Sequence, residues 1–226
     1  MKKEEGFTLI ELLVTIALVS LIASFGIPQI SQFSSNFNIK SAATDFLQNV
    51  KLARAMAIKE NREYLIIFDT INNSYYIGFD GNNDGDLRDL KDDTFSYCND
   101  SNKDGRPDND TLDKRGMPQC VKRIYLSDEY GEKVRLDGPL ISQQIPPNEP
   151  DSQDPINKSI ALNGGSMKIP IRTDGSIPRN GKVYFQHAER GYTYCITFSN
   201  YAGKIDLFKW KGDVYNNDEK EWVEVR

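Results

Sequence analysis

Apolar and polar positions divide the 226-residue chain into three successive patterns. From Phe7 to Ile27 the sequence FTLIELLVTIALVSLIASFGI is apolar almost throughout, 21 residues with one charge. At about 1.5 Å rise per residue a helix of that size covers roughly 30 Å, the thickness of a bilayer hydrocarbon core. Beyond it, Ile30, Phe33, Phe37, Ile39, Ala43, Phe46, Leu47, Val50, Leu52, Ala53, Met56 and Ala57 recur at mostly three- and four-residue spacings, with Lys40, Asp45, Gln48, Lys51 and Arg54 between them. That is the period of an amphipathic helix. One helix from about Phe7 to Lys59 is expected, interrupted near Gly26 and Pro28, where proline removes a backbone donor and bends the axis.

From Tyr64 the period becomes that of strands. The spacing predicts strands over Tyr64–Phe68, Tyr75–Phe79, Val121–Leu126, Ser159–Leu162, Met167–Ile171, Lys182–His187, Tyr192–Phe198 and Lys204–Phe208, separated by Gly, Asn, Asp and Pro turns. One antiparallel sheet is the economical arrangement, with the last two strands joined as a hairpin through Ser199-Asn200-Tyr201-Ala202-Gly203. The run QQIPPNEPDSQDP, residues 143–155, has four prolines and no apolar pattern, so it is expected as a surface loop. The fold class is α+β: a long N-terminal helix, half apolar and half amphipathic, against a C-terminal antiparallel β-domain. The helical halves are 7–27 and 28–62, and the β-rich part is 63–226 with an acidic loop at about 80–120.

Composition removes several classes of function. Lys plus Arg is 28 against 33 Asp plus Glu, a net charge of −5, which provides no basic field for a nucleic acid backbone. Arg172, Arg179, Lys182, Arg190 and Lys204 make the C-terminal half modestly basic, but Asp213, Asp218, Glu219, Glu221 and Glu224 give it an acidic finish. Nucleic acid is not an expected partner. One histidine, His187, and three cysteines leave too few soft ligands for a zinc finger or an iron–sulfur centre. No G-x-S-x-G elbow, H-E-x-x-H pair or Walker loop occurs. Neither catalysis nor an organic cofactor is expected.

The apolar run is longer than the core of a cleaved secretory signal, which spans about 7–15 residues. Lys2 and Lys3 precede it, favouring a cytoplasmic N-terminus and an outward-facing remainder. Glu11 is its one charge, and a carboxylate at membrane depth requires a partner.

Gly6-Phe7-Thr8-Leu9-Ile10-Glu11-Leu12-Leu13-Val14 resembles the processing and assembly motif of type IV pilins and of the pseudopilins of type II secretion. A short charged leader ends in glycine, an aromatic residue follows, a glutamate sits five positions after the glycine, and Pro28 comes late in the segment. The resemblance implies a pilin fold and a leader, residues 1–6, removed by prepilin peptidase between Gly6 and Phe7, with methylation of the new Phe7 amine. It implies that Glu11 pairs with the N-terminal amine of an adjacent subunit as helices pack side by side. The partners it implies are the peptidase, other pilin-like subunits, an inner-membrane assembly platform and membrane lipid. The chain would span the inner membrane once, with its domain outside the cytoplasm, before entering a filament. Length and the stretches Arg172-Thr173-Asp174-Gly175-Ser176 and Gly203-Lys204-Ile205-Asp206 are similar to minor pilins and H-type pseudopilins. The competing class is a membrane-tethered, calcium-stabilised β-domain that acts as a binding module, or a minor pilin of DNA uptake.

A second feature lies in charge placement. Residues 80–113 contain eleven Asp and four Lys or Arg, a net −7, leaving −5 minus −7, or +2, for the rest. Within them a D-x-N-x-D-G repeat places Asp80, Asn82 and Asp84, then Asp100, Asn102 and Asp104, around glycine turns, the ligand spacing of calcium loops. Position 12 is Lys91 or Thr111 rather than a bidentate acid, so neither copy is a complete EF-hand. Asp86 and Asp89, or Asp108 with Asp110 and Asp113, could complete a Ca²⁺ shell. The same residues are also ordinary turn formers in a solvated loop. Cys98 and Cys120 flank the second copy and suit a disulfide in an oxidising compartment, the alternative being two thiols. Cys195 is expected as a buried thiol in a strand.

Overall fold

The structure, a computed structural model, describes residues 7–79, 120–137, 160–162, 167–189, 192–199, 204–210 and 222–225, with side chains except at 25–32 and 161. Two compact units divide the chain, Met1–Phe37 and Asn38–Arg226. Helix α1, Leu9–Glu60, supplies the regular structure described in the first unit and the opening element of the second. It is helical through Gly26 and Pro28, so the interruption expected there is not a break. A proline removes one backbone hydrogen bond, and the continuous ladder on both sides of it keeps the helix running.

The C-terminal end of α1 is fixed by a left-handed residue. Asn61 has φ 50°; its N–H donates to Ile58 O at 3.4 Å and the next N–H, of Arg62, donates to Ala57 O at 3.1 Å. This paired return is a Schellman cap with asparagine in glycine's usual place. It turns the chain directly into the first strand.

Ten strands and one further helix are described: β1 Tyr64–Asp69, β2 Ser74–Phe79, β3 Cys120–Tyr125, α2 Leu126–Tyr130, β4 Val134–Leu136, β5 Ile160–Leu162, β6 Lys168–Ile171, β7 Gly181–His187, β8 Thr193–Ser199, β9 Lys204–Trp210 and β10 Trp222–Glu224. All eight strands expected from the sequence are present within two residues. The expected single sheet is instead two. One has the order β3-β2-β1-β6; the other runs β10-β9-β8-β7-β4, with β5 also paired to β7. Every pairing is antiparallel, and β8 and β9 pair from Tyr194↔Lys209 to Ser199↔Lys204 as the hairpin expectation requires.

Both sheets are needed because the buried stripe of α1 is wide. Ile39, Ala42, Ala43, Phe46, Val50, Ala53 and Ala57 are all fully buried and share one core with residues of both sheets. Phe46 lies at its centre. Its ring meets Phe68 at 5.6 Å and Tyr75 at 5.0 Å on the first sheet, and Phe185 at 5.3 Å and Phe198 at 6.5 Å on the second. The alanines above and below it let the strands approach the helix closely.

The junction of the two sheets is polar. Asn73, at φ 48° in the β1–β2 turn, donates from Nδ2 to Val134 O at 2.7 Å and Ser127 Oγ at 3.0 Å, and its Oδ1 accepts from Leu136 N at 2.9 Å. Its own carbonyl accepts from Leu126 N at 3.0 Å. Beside it Asp69 accepts from Asn72 N at 3.1 Å and forms a 2.7 Å ion pair with Arg123. Thus α2 and β4, neither expected from the sequence, are held by one turn residue.

Candidate assembly site at the head of α1

The first helical turn is built by two polar residues inside an apolar run. Thr8 precedes α1, and its backbone N–H and hydroxyl both donate to Glu11 Oε2, at 3.0 and 2.9 Å. Glu11 N returns a 3.4 Å bond to Thr8 Oγ1, and Leu12 N bonds Thr8 O at 3.2 Å. This is a capping box: the N-cap hydroxyl and the third-position glutamate satisfy each other's amide donors. The T-x-x-E spacing of Thr8 and Glu11 is legible in the sequence, and it names Thr8 as a site residue that the apolar pattern passes over.

The remaining polar side chains of this turn-rich run are satisfied within the helix. Thr15 donates to Leu12 O, Ser20 to Ile16 O and Ser24 to Leu21 O, at 2.8, 2.8 and 2.7 Å. Such back-bonding leaves hydroxyl-bearing residues compatible with an apolar surrounding. Glu11 is different. Both bonds it accepts fall on Oε2, and Oε1 has no partner among the described residues.

Around this carboxylate the surface is apolar and bare. Leu9, Ile10, Leu12, Leu13, Val14, Ile16, Leu18, Val19, Leu21 and Ile22 are each more than half exposed, and Phe7 is 88% exposed. A helix apolar on every side belongs in lipid or inside a bundle of other helices. No helix among the described residues is long and apolar enough to cross a membrane. The described side chains of this run end at Ser24, before the apolar sequence ends at Ile27.

The other residues singled out from the sequence divide by position. Gly6 and Cys98, with Asp80, Asn82, Asp84, Asp86, Asp89, Asp100, Asn102, Asp104 and Asp108, lie outside the described residues. Among the described residues no group of three or more His, Cys, Asp and Glu could hold a metal ion. Cys120 opens β3 at 4% exposure, while Cys195 is buried in β8 as a thiol outside any disulfide. His187 is buried at the end of β7, where its N–H bonds Tyr192 O at 2.9 Å.

Comparison with known proteins bears on this same end of the chain. Residues 1–27 match the family described as "Prokaryotic N-terminal methylation motif". The chain is similar to a "Fimbrial protein" of Pseudomonas aeruginosa, 32% identical over 79 residues, which are 35% of this chain and 51% of that protein. A second "Fimbrial protein" of the same organism matches with the same figures. The chain thus spans about half the length of the curated relatives it matches. No solved structure matches it.

Proposed function

As a member of the type IV pilin-like superfamily, bearing its methylation motif at residues 1–27, the chain is, we propose, a membrane-inserted precursor that becomes a structural subunit of a filament. Prepilin peptidase cuts between Gly6 and Phe7, and the new Phe7 amine is methylated. The apolar half of α1 then leaves lipid for a bundle of like helices, and the β-domain faces outward. The role is structural rather than catalytic. The partners are the peptidase, other pilin-like subunits and the inner-membrane assembly platform.

The observation that carries this reading is the single carboxylate in an exposed apolar helix. Glu11 keeps one oxygen, Oε1, without a partner among the described residues, and apart from Thr8 the exposed side chains described beside it, Leu9, Ile10, Leu12 and Leu13, are apolar. A cationic amine brought alongside by a neighbouring helix satisfies it, and the low dielectric of the bundle strengthens that pairing. Within the superfamily we place the chain with minor pilins and H-type pseudopilins, on its length and on the Arg172–Ser176 and Gly203–Asp206 stretches.

Peptide mapping of the full chain from cells that carry an assembly system tests the reading. An N-methylated Phe7 at the start of the mature protein is the expected result, together with loss of filament incorporation in Glu11→Leu. Retention of Met1 overturns it and favours a plain membrane tether.

The acidic segment has its own reading. We assign Ca²⁺ to the D-x-N-x-D-G loops at Asp80–Asp84 and Asp100–Asp104, with Asp86, Asp89 and Asp108 as completing ligands, because bound cations relieve a net −7 over residues 80–113. A Cys98–Cys120 bond closes the second loop. Calcium heats in calorimetry and a rise in melting temperature support the site; their absence removes it. Mass measurement without reduction decides the disulfide.

A further inference from the structure

In the second unit, the side of α1 turned away from the core is bare. At roughly 100° per residue, Lys40, Lys51, Leu52, Ala55, Ile58 and Lys59 fall within one arc of about 120°, opposite the buried stripe. All six are exposed, Leu52 at 46% and Ile58 at 57%. The arc carries three cations and no carboxylate. The nearest acids on the helix are engaged elsewhere: Asp45 accepts from the Tyr130 hydroxyl at 2.9 Å and Glu60 from the Tyr64 hydroxyl at 2.6 Å. Arg54, at the edge of the arc, is likewise turned away, its Nε bonding Gly175 O at 2.8 Å.

We infer that this lysine-and-aliphatic face of α1 is a docking surface for the acidic segment, residues 80–113, of a second copy of the chain. The inference rests on the filament reading and names one contact within it. Charge complementarity selects the occupant: the segment holds net −7, and −7 plus 4, or −3, with a Ca²⁺ in each of its two loops, while the rest of the chain is net +2. Its eleven Asp form the largest acidic cluster in the sequence; the acidic finish, residues 213–226, holds net −3. Among the described residues no carboxylate covers the face, and in a filament a neighbouring copy can present its acidic segment to it. Leu52 and Ile58 give the contact apolar area, and the lysines set its register and partner choice. Because the lysines lie along more than five helical turns, a segment with acids spread over 34 residues matches them better than a single carboxylate does.

The test uses the full-length chain in membranes from cells that carry the assembly system, expressed as two distinguishable copies. One copy carries photoreactive benzoylphenylalanine at position 51; the other carries a C-terminal epitope tag. After irradiation, tagged adducts are expected to map to residues 80–113 of the tagged copy. Asp92→Lys and Asp93→Lys together in the tagged copy, neither of them a proposed Ca²⁺ ligand, should reduce the yield by about tenfold. Lys40→Glu with Lys59→Glu in the photoreactive copy should then restore it. Adducts to lipid, to other peptides or to other proteins alone overturn the inference, as does a yield indifferent to these charges or no adduct at all. The Phe7 N-terminus is read in the same preparation. Its lack of methylation counts against the filament reading, whereas an adduct at 80–113 upholds the contact between copies in either case.

Discussion

Thr8 gives one oxygen of Glu11 two hydrogen bonds, through its amide at 3.0 Å and its hydroxyl at 2.9 Å. On the proposed function the glutamate would then have two separable duties, capping its own helix and presenting a charge to a neighbour.

Glu11→Gln separates them. Glutamine at the third helical position still completes a capping box, but it carries no charge for an amine to meet. Helix start should be retained, with the amides of Ile10 to Leu12 as protected from hydrogen exchange as in the parent, while filament incorporation falls to the level of Glu11→Leu. Thr8→Val should do the opposite, speeding exchange at those amides and leaving the charge in place. Normal incorporation of Glu11→Gln would show that capping, not charge, is what assembly requires.

Phe46 is the side chain on which both sheets close. Phe46→Ala removes four aromatic contacts at once, and truncation of a buried phenylalanine costs roughly 3–5 kcal/mol. For a domain of this size that corresponds to a fall in melting temperature of about 10 °C. Phe46→Leu, which keeps most of the volume, should lose less than half as much. Thermal unfolding of the full chain in detergent measures both, and equal losses would mean that ring geometry outweighs filled volume.

Asn73 is the corresponding polar closure. Asn73→Gly keeps the left-handed turn available while deleting the bonds to Ser127, Val134 and Leu136. Hydrogen exchange should accelerate at Leu136 N and through β4, with β1 and β6 little changed. Uniform acceleration across both sheets would mean that the residue supports the whole domain rather than the junction.

Much of this architecture is legible in the sequence, for a physical reason that differs by element. The helix is announced by its period, and the long strands by runs such as YLIIFD at β1 that are buried on both faces. Three-residue β4 and β10 and the five-residue α2 are too short to show any period. Their existence depends on partners far along the chain, Asn73 for α2 and β4 and Trp210 for β10. The division into two sheets is likewise set by what α1 can cover, which no local pattern encodes. At the candidate site the charge of Glu11 stands out against its apolar neighbours, whereas Thr8 passes for an ordinary helical threonine until its three-residue spacing to Glu11 is noticed.

Alkaline stability follows from tyrosines buried in the neutral form. Burial pushes the Tyr194 hydroxyl from 10.0 up to about 12. Tyr75 is raised by burial, and Tyr130 is raised first by burial, then by Tyr75 and by its hydrogen bond to Asp45. In the unfolded chain these hydroxyls begin to ionise near pH 10, where the folded chain still holds its protons. A group whose pKa is higher in the fold contributes stability that is complete below the unfolded value and is lost as pH rises through the folded one. Stability should thus be level with respect to these groups below pH 10 and fall from 10 through about 12. Tyr130→Phe removes one of the three groups together with its bond to Asp45, so its unfolding curve should start lower at pH 8 and fall less steeply above pH 10. Tyrosinate absorbance followed alongside circular dichroism measures the coupling: ionisation and unfolding should coincide, and full ionisation of a still folded chain at pH 11 would contradict it.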